Sequence, residues 1–424
     1  MSKKIKLDSL YISIVSICLV FLYFCHGDNY LILWKRIPSI FFFALSCLLI
    51  FPFLAYKKVI NGLFRNKLLF YFILLSSVLL VLATISFVPF LGFTTNFAYL
   101  KTTLLNFLIM LVCMIFFSSK GSIDITLKIM VYGVLLAVAL NIYDITHIDN
   151  YYFSTDDPRN RRAFSMVFAR AAGFYLDPNV SASALVFGLI LTENTIANKR
   201  LKFLYVLAVG GAVGITLSLS GVLFFSVYFF LRFIYGKVKL NIVLIVAVLF
   251  VIISAVIRDL MERKVIYFGP GITARIKAIT NPFEGGQGEI VEKNSRTILL
   301  ENAIEMILED PVFGKGIGQH QFVETEQSAR SRSGTHAGPH NQWLAFVIDY
   351  GLILGAGLFA LIFFVLMPLK HSIYRKEVFY FLITYFLYSL FSHTALKNHS
   401  LMFLLPLVYQ MGRIRKNERG SENK

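Results

Sequence analysis

Apolar runs separated by short charged breaks fill most of this chain, and two long polar stretches interrupt them. A helix crossing a bilayer needs roughly 17–25 consecutive apolar residues. By that measure the spans fall near residues 9–26, 37–56, 68–88, 101–118, 124–144, 179–197, 203–219, 221–235, 240–257, 341–368, 377–394 and 400–412. The pattern predicts an all-α polytopic membrane protein with about twelve transmembrane helices, a single membrane domain over residues 1–424. Only Ser218-Leu219-Ser220-Gly221 separates 203–219 from 221–235, so one kinked segment is the alternative there. Lys3, Lys4 and Lys6 precede the first run as in a signal peptide. No small-residue cleavage site follows Cys25-His26-Gly27, so the run reads as a retained helix.

Lys57, Lys58, Arg65, Lys67, Lys120, Lys199, Arg200, Lys202, Lys237, Lys239, Lys370, Arg375 and Lys376 fall on one side of these spans, and the tail Arg413, Arg415, Lys416 and Arg419 joins them. Basic loops stay cytoplasmic, which predicts both termini inside. The two long polar stretches then lie outside: an arginine-rich loop over 145–178 and a large loop over 258–340. The first carries Arg159, Arg161, Arg162 and Arg170 on the side that normally lacks such charge. A planar guanidinium suits phosphate, so these arginines are candidates for an anionic ligand. Neutralisation of Arg159 and Arg161 by Asp156 and Asp157 is the competing account.

Within the large loop, Ser295 to Glu309 has apolar residues at 298, 299, 303, 306 and 307, a helical period. Asn294 or Ser295 supplies a cap and Pro311 a stop. This segment has no core of its own and is expected to lie on the membrane domain, with Arg296 in its first turn near the membrane surface. Gly314, Gly316 and Gly318 allow a tight turn that approaches a ligand or another backbone. It is not a phosphate-cradling P-loop, because the Gly-Lys-Ser/Thr ending is missing and no strand precedes it. Residues 322–335, with Glu324, Glu326, Arg330 and Arg332, read as mobile surface.

Composition sharpens this picture. The chain is 57% hydrophobic and 15% aromatic, beyond the apolar share of soluble domains. The net charge of +17 is accounted for by cytoplasmic loops rather than nucleic acid. Cys18, Cys25, Cys47 and Cys113 lie in or beside apolar runs without zinc or redox spacing, and are read as packing residues.

His340 is the leading candidate for chemistry. It stands where the large loop meets a membrane helix, between Gly338-Pro339 and Asn341. An imidazole titrates near neutrality and can take a proton from a sugar hydroxyl. A satisfied interfacial histidine is the alternative. His336 lies four residues earlier, but Gly338-Pro339 breaks the helix a metal pair would need, and His320 has no supporting pattern. No HExxH, carboxylate cluster or Cys/His set argues for a metal. Asp349 is an acid inside a predicted span, which marks it as functional, paired with a basic residue or facing the bundle interior. His393, Lys397 and His399 form a polar group near the outer ends of the last two spans, read as interfacial anchoring or as lining of the same cavity.

Three stretches carry a family resemblance. Arg170-Ala-Ala-Gly173-Phe-Tyr-Leu-Asp177-Pro178-Asn179 resembles the R-x-x-G-x-x-x-[DN]-P-N motif of the O-antigen ligase and polymerase superfamily. Ser295-Arg296, the amphipathic segment and Asp310-Pro311-Val-Phe-Gly314-Lys-Gly316-Ile-Gly318 resemble its large periplasmic loop. His340-Asn341, with Gly351 ten residues after the Asn, resembles its H-[NSQ]-x9-G signature. Order, spacing and topology agree over roughly residues 165–360. The resemblance implies a GT-C-like membrane fold and a metal-independent glycosyltransferase without cofactor. It would move a glycan from undecaprenyl diphosphate to an acceptor at the periplasmic face of the bacterial inner membrane. The acceptor is lipid A-core for ligases and a second lipid-linked glycan for polymerases. His340 would then activate the acceptor hydroxyl. Arg296 and Arg170, with Arg161, Arg162 and Asn341, would bind substrate, guanidinium groups stabilising the diphosphate charge.

Two departures stand out. Where the family has T-x-S-R-G, this chain has Thr216-Leu-Ser218-Leu-Ser220-Gly221 and no arginine, which shifts weight onto Arg161, Arg162 and Arg170. Where the signature continues G-x-x-[GTV], Gly351 is followed by Leu354, with Gly355 one step late. The expected function is O-antigen ligase-type transfer. The alternatives are a polymerase of lipid-linked repeat units, and a transporter or scaffold of the assembly machinery. A transporter would show paired broken helices in two related halves, and no internal repeat is present.

Overall fold

The computed structural model describes residues 2–27, 39–54, 66–87, 94–146, 171–175, 177–216, 218–234, 295–322, 339–392 and 398–414. The predicted span 240–257 and the residues Arg159, Arg161, Arg162, Arg170, His336, His393 and Lys397 lie outside them. The architecture is all-α: α1 Ser2–Leu19, continued by a π-helical turn Val20–Phe24, α2 Ser39–Leu54, α3 Lys67–Ile85, α4 Phe97–Phe116, α5 Lys120–Thr146, α6 Pro178–Thr192, α7 Lys199–Ile215 and α8 Leu219–Ile234. Then follow α9 Ser295–Glu309, α10 Gln342–Tyr350, α11 Leu352–Leu366, α12 Arg375–Phe391 and α13 His399–Met411. A two-residue parallel pair, β1 Thr94–Thr95 with β2 Gly316–Ile317, is the one sheet among the described residues.

Polar side chains at chosen positions start these helices. Asn66, Asn96, Asn198 and Asn398 each turn a side-chain oxygen onto the first backbone N–H groups of α3, α4, α7 and α13. Such caps satisfy donors that a helix start otherwise leaves open. Within α3 the positions Leu68, Tyr71, Phe72, Leu75 and Leu79 are buried, whereas Phe70, Ile73, Leu74 and Leu80 are exposed. A helix apolar on both its packed and its outward face suits hydrocarbon, not water. Among the described residues three helical stretches, Lys67–Ile85, Phe97–Phe116 and Gly121–Asp144, are long and apolar enough to cross a membrane, and four shorter ones are apolar.

The chain divides into two compact units, residues 1–130 with 291–424, and residues 131–290. In the second, α7 and α8 are separate helices rather than one kinked segment, and Gly210 packs against the Phe225 ring across their turn. Arg232 of α8 pairs at 2.9 Å with the buried Glu193 just past α6. In the first unit, the expected single span over 341–368 is corrected to two helices, α10 and α11, broken at Gly351. Gly355 lies against the Phe346 carbonyl, Phe346 meets Phe359, and Trp343 meets both Phe359 and Phe363. Those pairings run in opposite senses along the two helices, so α10 doubles back on α11. The break has a steric cause. Gly351 has φ +78 and closes α10, and a Cβ there would stand 2.0 Å from the Val312 carbonyl oxygen.

Candidate functional site

The unit of residues 1–130 and 291–424 contains the large-loop helix, the glycine turn and His340. The segment from Ser295 forms α9, as its apolar period predicts, and Arg296 lies in its first turn. Leu299 and Ala303 of α9 pack with Ile348 of α10, flanked by Met306, Ile307 and Leu344, so the amphipathic face finds its core on α10. The chain then turns at Asp310–Gly314 and runs beside the α10–α11 junction. The Lys315 N–H donates to the Ile348 carbonyl at 2.7 Å, and Leu352 N–H donates to Pro311 at 2.8 Å. A Cβ on Gly314 would stand 2.5 Å from the Gly351 nitrogen, so the glycine turn approaches another backbone rather than leaving space for a ligand.

At the centre of this junction stands Asp349, 1% exposed. Its carboxylate accepts from the backbone N–H of Gly318 and of His320, each at 2.9 Å, and from His320 Nδ1 at 2.8 Å. A carboxylate only accepts when ionised, so Nδ1 carries the ring proton. The His320 ring is wholly buried and packs edge-on against Tyr99, centroids 5.0 Å apart. An imidazole aimed at a carboxylate resembles a nucleophile-activating pair. Burial on all sides keeps it from substrate, so its role here is to tie the turn to α10. The sequence marked Asp349 as an acid with a partner to find but gave no reason to choose His320. The signal available was weak: a histidine two residues after the last glycine of the turn.

His340 stands at the other end of α10. Asn341 caps that helix, its side-chain oxygen accepting from Trp343 and Leu344 N–H at 2.9 and 3.1 Å. That bond commits the Asn341 oxygen to structure. Trp343 Nε1 donates to Ser389 Oγ at 2.9 Å, which holds the start of α10 against α12. His340 itself is half-buried and has φ +49, following the buried Pro339. Among the described residues, His26 and His340 are the two non-glycine positions with positive φ. Non-glycine residues hold that region when the surrounding structure imposes it, and such outliers cluster at functional sites. From Trp343 an apolar groove of about 390 Å³ runs between α11 and α12, past Phe363 and Phe386 to Met367. His399 sits at the first turn of α13 beside His26, ring centroids 5.7 Å apart, and His26 Nε2 lies 3.0 Å from the Asn398 oxygen.

The unit of residues 131–290 holds the described part of the Arg170 motif. Gly173 has φ +55, and the N–H groups of Ala172 and Gly173 donate to the buried Asp144 carboxylate at 3.1 and 2.6 Å. Asp177 caps α6 through Asn179 N–H at 2.7 Å, and Pro178 opens the helix. The Asn179 side-chain oxygen accepts from Ser218 Oγ at 2.9 Å. Ala171 N–H reaches the Ile215 carbonyl at 3.4 Å. Two stretches far apart in sequence, the Arg170 motif and Thr216–Gly221, therefore meet within this unit. Asp144 escaped the sequence reading. An acid in the last turn of a helix opposes the helix dipole, and that misfit was the available sign of a second role.

Among the described residues no group of three or more His, Cys, Asp or Glu side chains converges as a metal site. Among the described residues the chain is thus a helical protein with membrane-type spans, in which the segment 295–322 is clasped onto a short helix that follows a histidine at positive φ. Residues 203–365 match the family model described as O-Antigen ligase. The match covers less than half of the chain and is a likeness to that family over this stretch. No curated protein matches the chain.

Proposed function

We propose that this protein transfers a glycan from a lipid diphosphate, undecaprenyl diphosphate, to an acceptor hydroxyl at the periplasmic face of the bacterial inner membrane, with lipid A-core as the acceptor. The observation that carries the reading is His340: a half-buried histidine held at φ +49 between a buried proline and a capped helix. In this mechanism His340 takes the proton from the acceptor hydroxyl as its oxygen attacks the anomeric carbon. The bond from that carbon to the diphosphate oxygen breaks, and the lipid diphosphate leaves as an anion. General-base help of this kind contributes about 10²–10⁴-fold. Arg296, Arg170, Arg161 and Arg162 are the proposed binders of the diphosphate, and positioned guanidinium groups stabilise the charge that develops on it. No step needs a metal or a cofactor. Asn341 is a further proposed substrate contact, and its side-chain oxygen caps α10 beside His340.

A deletion strain complemented with wild type or His340→Ala tests this. Ligase action predicts that the deletion leaves lipid A-core bare while long lipid-linked polymer accumulates. Single repeat units on the core without a ladder would instead mark a polymerase, which has the same chemistry and a lipid-linked acceptor. Wild-type complementation is expected to restore the lost product and His340→Ala to fail. An unchanged banding pattern in the deletion strain would refute both.

A further inference from the structure

We infer that Asp349 and His320 are positioning residues: a buried clasp that locks the Gly314–Phe322 turn onto α10 and thereby sets the placement of His340. This rests on the catalytic reading of His340 given above. Three donors from the turn converge on one carboxylate, the N–H of Gly318, the N–H of His320 and His320 Nδ1, all at 2.8–2.9 Å. Backbone bonds flank it on both sides, Lys315 to Ile348 and Leu352 to Pro311. Gly314 and Gly351 pack without room for a side chain. The α9 face of Leu299 and Ala303 covers Ile348, the residue before Asp349.

The consequence is mechanical. Helix α10 has 9 residues, about 13 Å of rise, and too short a helix to hold its place alone. Its start is tied to α12 through Trp343 and Ser389, and its end to the turn through Asp349. The same turn continues from α9, which carries Arg296. Asp349 therefore couples the helix of a proposed diphosphate binder to the helix of the proposed base. A carboxylate suits the task because it accepts several bonds at once, and charge-assisted bonds are the stronger kind.

The chain has two tryptophans, Trp34 and Trp343, so a Trp34→Phe background leaves Trp343 as the single reporter on α10. In that background the full chain, in lipid nanodiscs, would be compared as wild type, Asp349→Ala, His320→Ala and His320→Asn. The asparagine amide replaces the Nδ1–H donor. Trp343 emission and acrylamide quenching are read alongside turnover of lipid-diphosphate-linked glycan extracted from the same bacterium. Asp349→Ala and His320→Ala are expected to alter both Trp343 signals and to lower kcat at least tenfold, with the donor KM within about twofold of wild type. His320→Asn is expected to recover most of both.

Monodisperse Asp349→Ala with unchanged Trp343 signals and kcat would overturn the clasp. So would His320→Asn as impaired as His320→Ala, an outcome readable even if Asp349→Ala fails to fold. If Trp343 responds as expected while the wild type turns over no glycan, the clasp stands and the reading of His340 is what fails.

Discussion

His340 and Asn341 are neighbours, the first proposed for chemistry and the second with its side-chain oxygen capping α10. The Asn341 oxygen is committed to the first N–H groups of α10, so Asn341→Ala is expected to cost about 0.5–2 kcal/mol, and chemical denaturation would measure it. Asn341→Asp or Asn341→Ser should restore most of the loss, since either caps equally well. Lys315 shows how little a surface contact is worth by comparison. Its ammonium pairs with Asp310 at 2.8 Å and with Glu309. Hydrogen bonding to Asp310 and then Glu309 pushes its pKa above the ordinary lysine value. A cation raised on folding adds stability that is whole below its unfolded pKa and lost as pH climbs through the folded one. Lys315→Met should therefore cost at most about 1 kcal/mol at neutral pH, and the difference should vanish in strongly alkaline solution. At this scale the sequence singled out His340 as a candidate through its place beside a proline and a predicted helix. It hid Asp144 and His320, whose partners are backbone N–H groups and a carboxylate brought close only by folding.

Most helices were legible as apolar runs because hydrophobic length and flanking charge act locally. The residues of α3 to α8 fall where the runs predicted them, and α9 where its period did. The α10–α11 hairpin was not legible. Both of its halves are apolar, so no change of polarity marks the reversal. The length of the run beyond the roughly 20 residues a span needs, together with Gly351 inside it, was the one available sign. Gly351→Ala forces a Cβ to 2.0 Å from the Val312 oxygen at φ +78, and should destabilise by at least about 1–3 kcal/mol. A fall in thermal midpoint with loss of the Trp343 environment would register it. Asp144→Ala leaves the Ala172 and Gly173 N–H groups buried without their acceptor. The expected cost is about 1–3 kcal/mol for each, again read by denaturation, and Asp144→Asn should lose less because one acceptor oxygen remains.

For the molecule as a whole, hydrophobic composition and charge placement carry the membrane reading, and residues 203–365 carry a likeness to the O-Antigen ligase family. The basic loops lead us to propose that both termini are cytoplasmic. Single cysteines introduced at residue 3 and residue 420 of a cysteine-free variant should resist a membrane-impermeant maleimide in intact cells and react after lysis. Labelling of either in intact cells would contradict that orientation. The central claim is that glycan transfer depends on the His340 imidazole, and the glycolipid gel of the complemented deletion strain tests it most directly. With equal protein in the membrane, wild type should restore the polymer-bearing glycolipid and His340→Ala should leave the deletion pattern unchanged. A wild-type ladder from His340→Ala would remove His340 from the chemistry and with it the proposed mechanism.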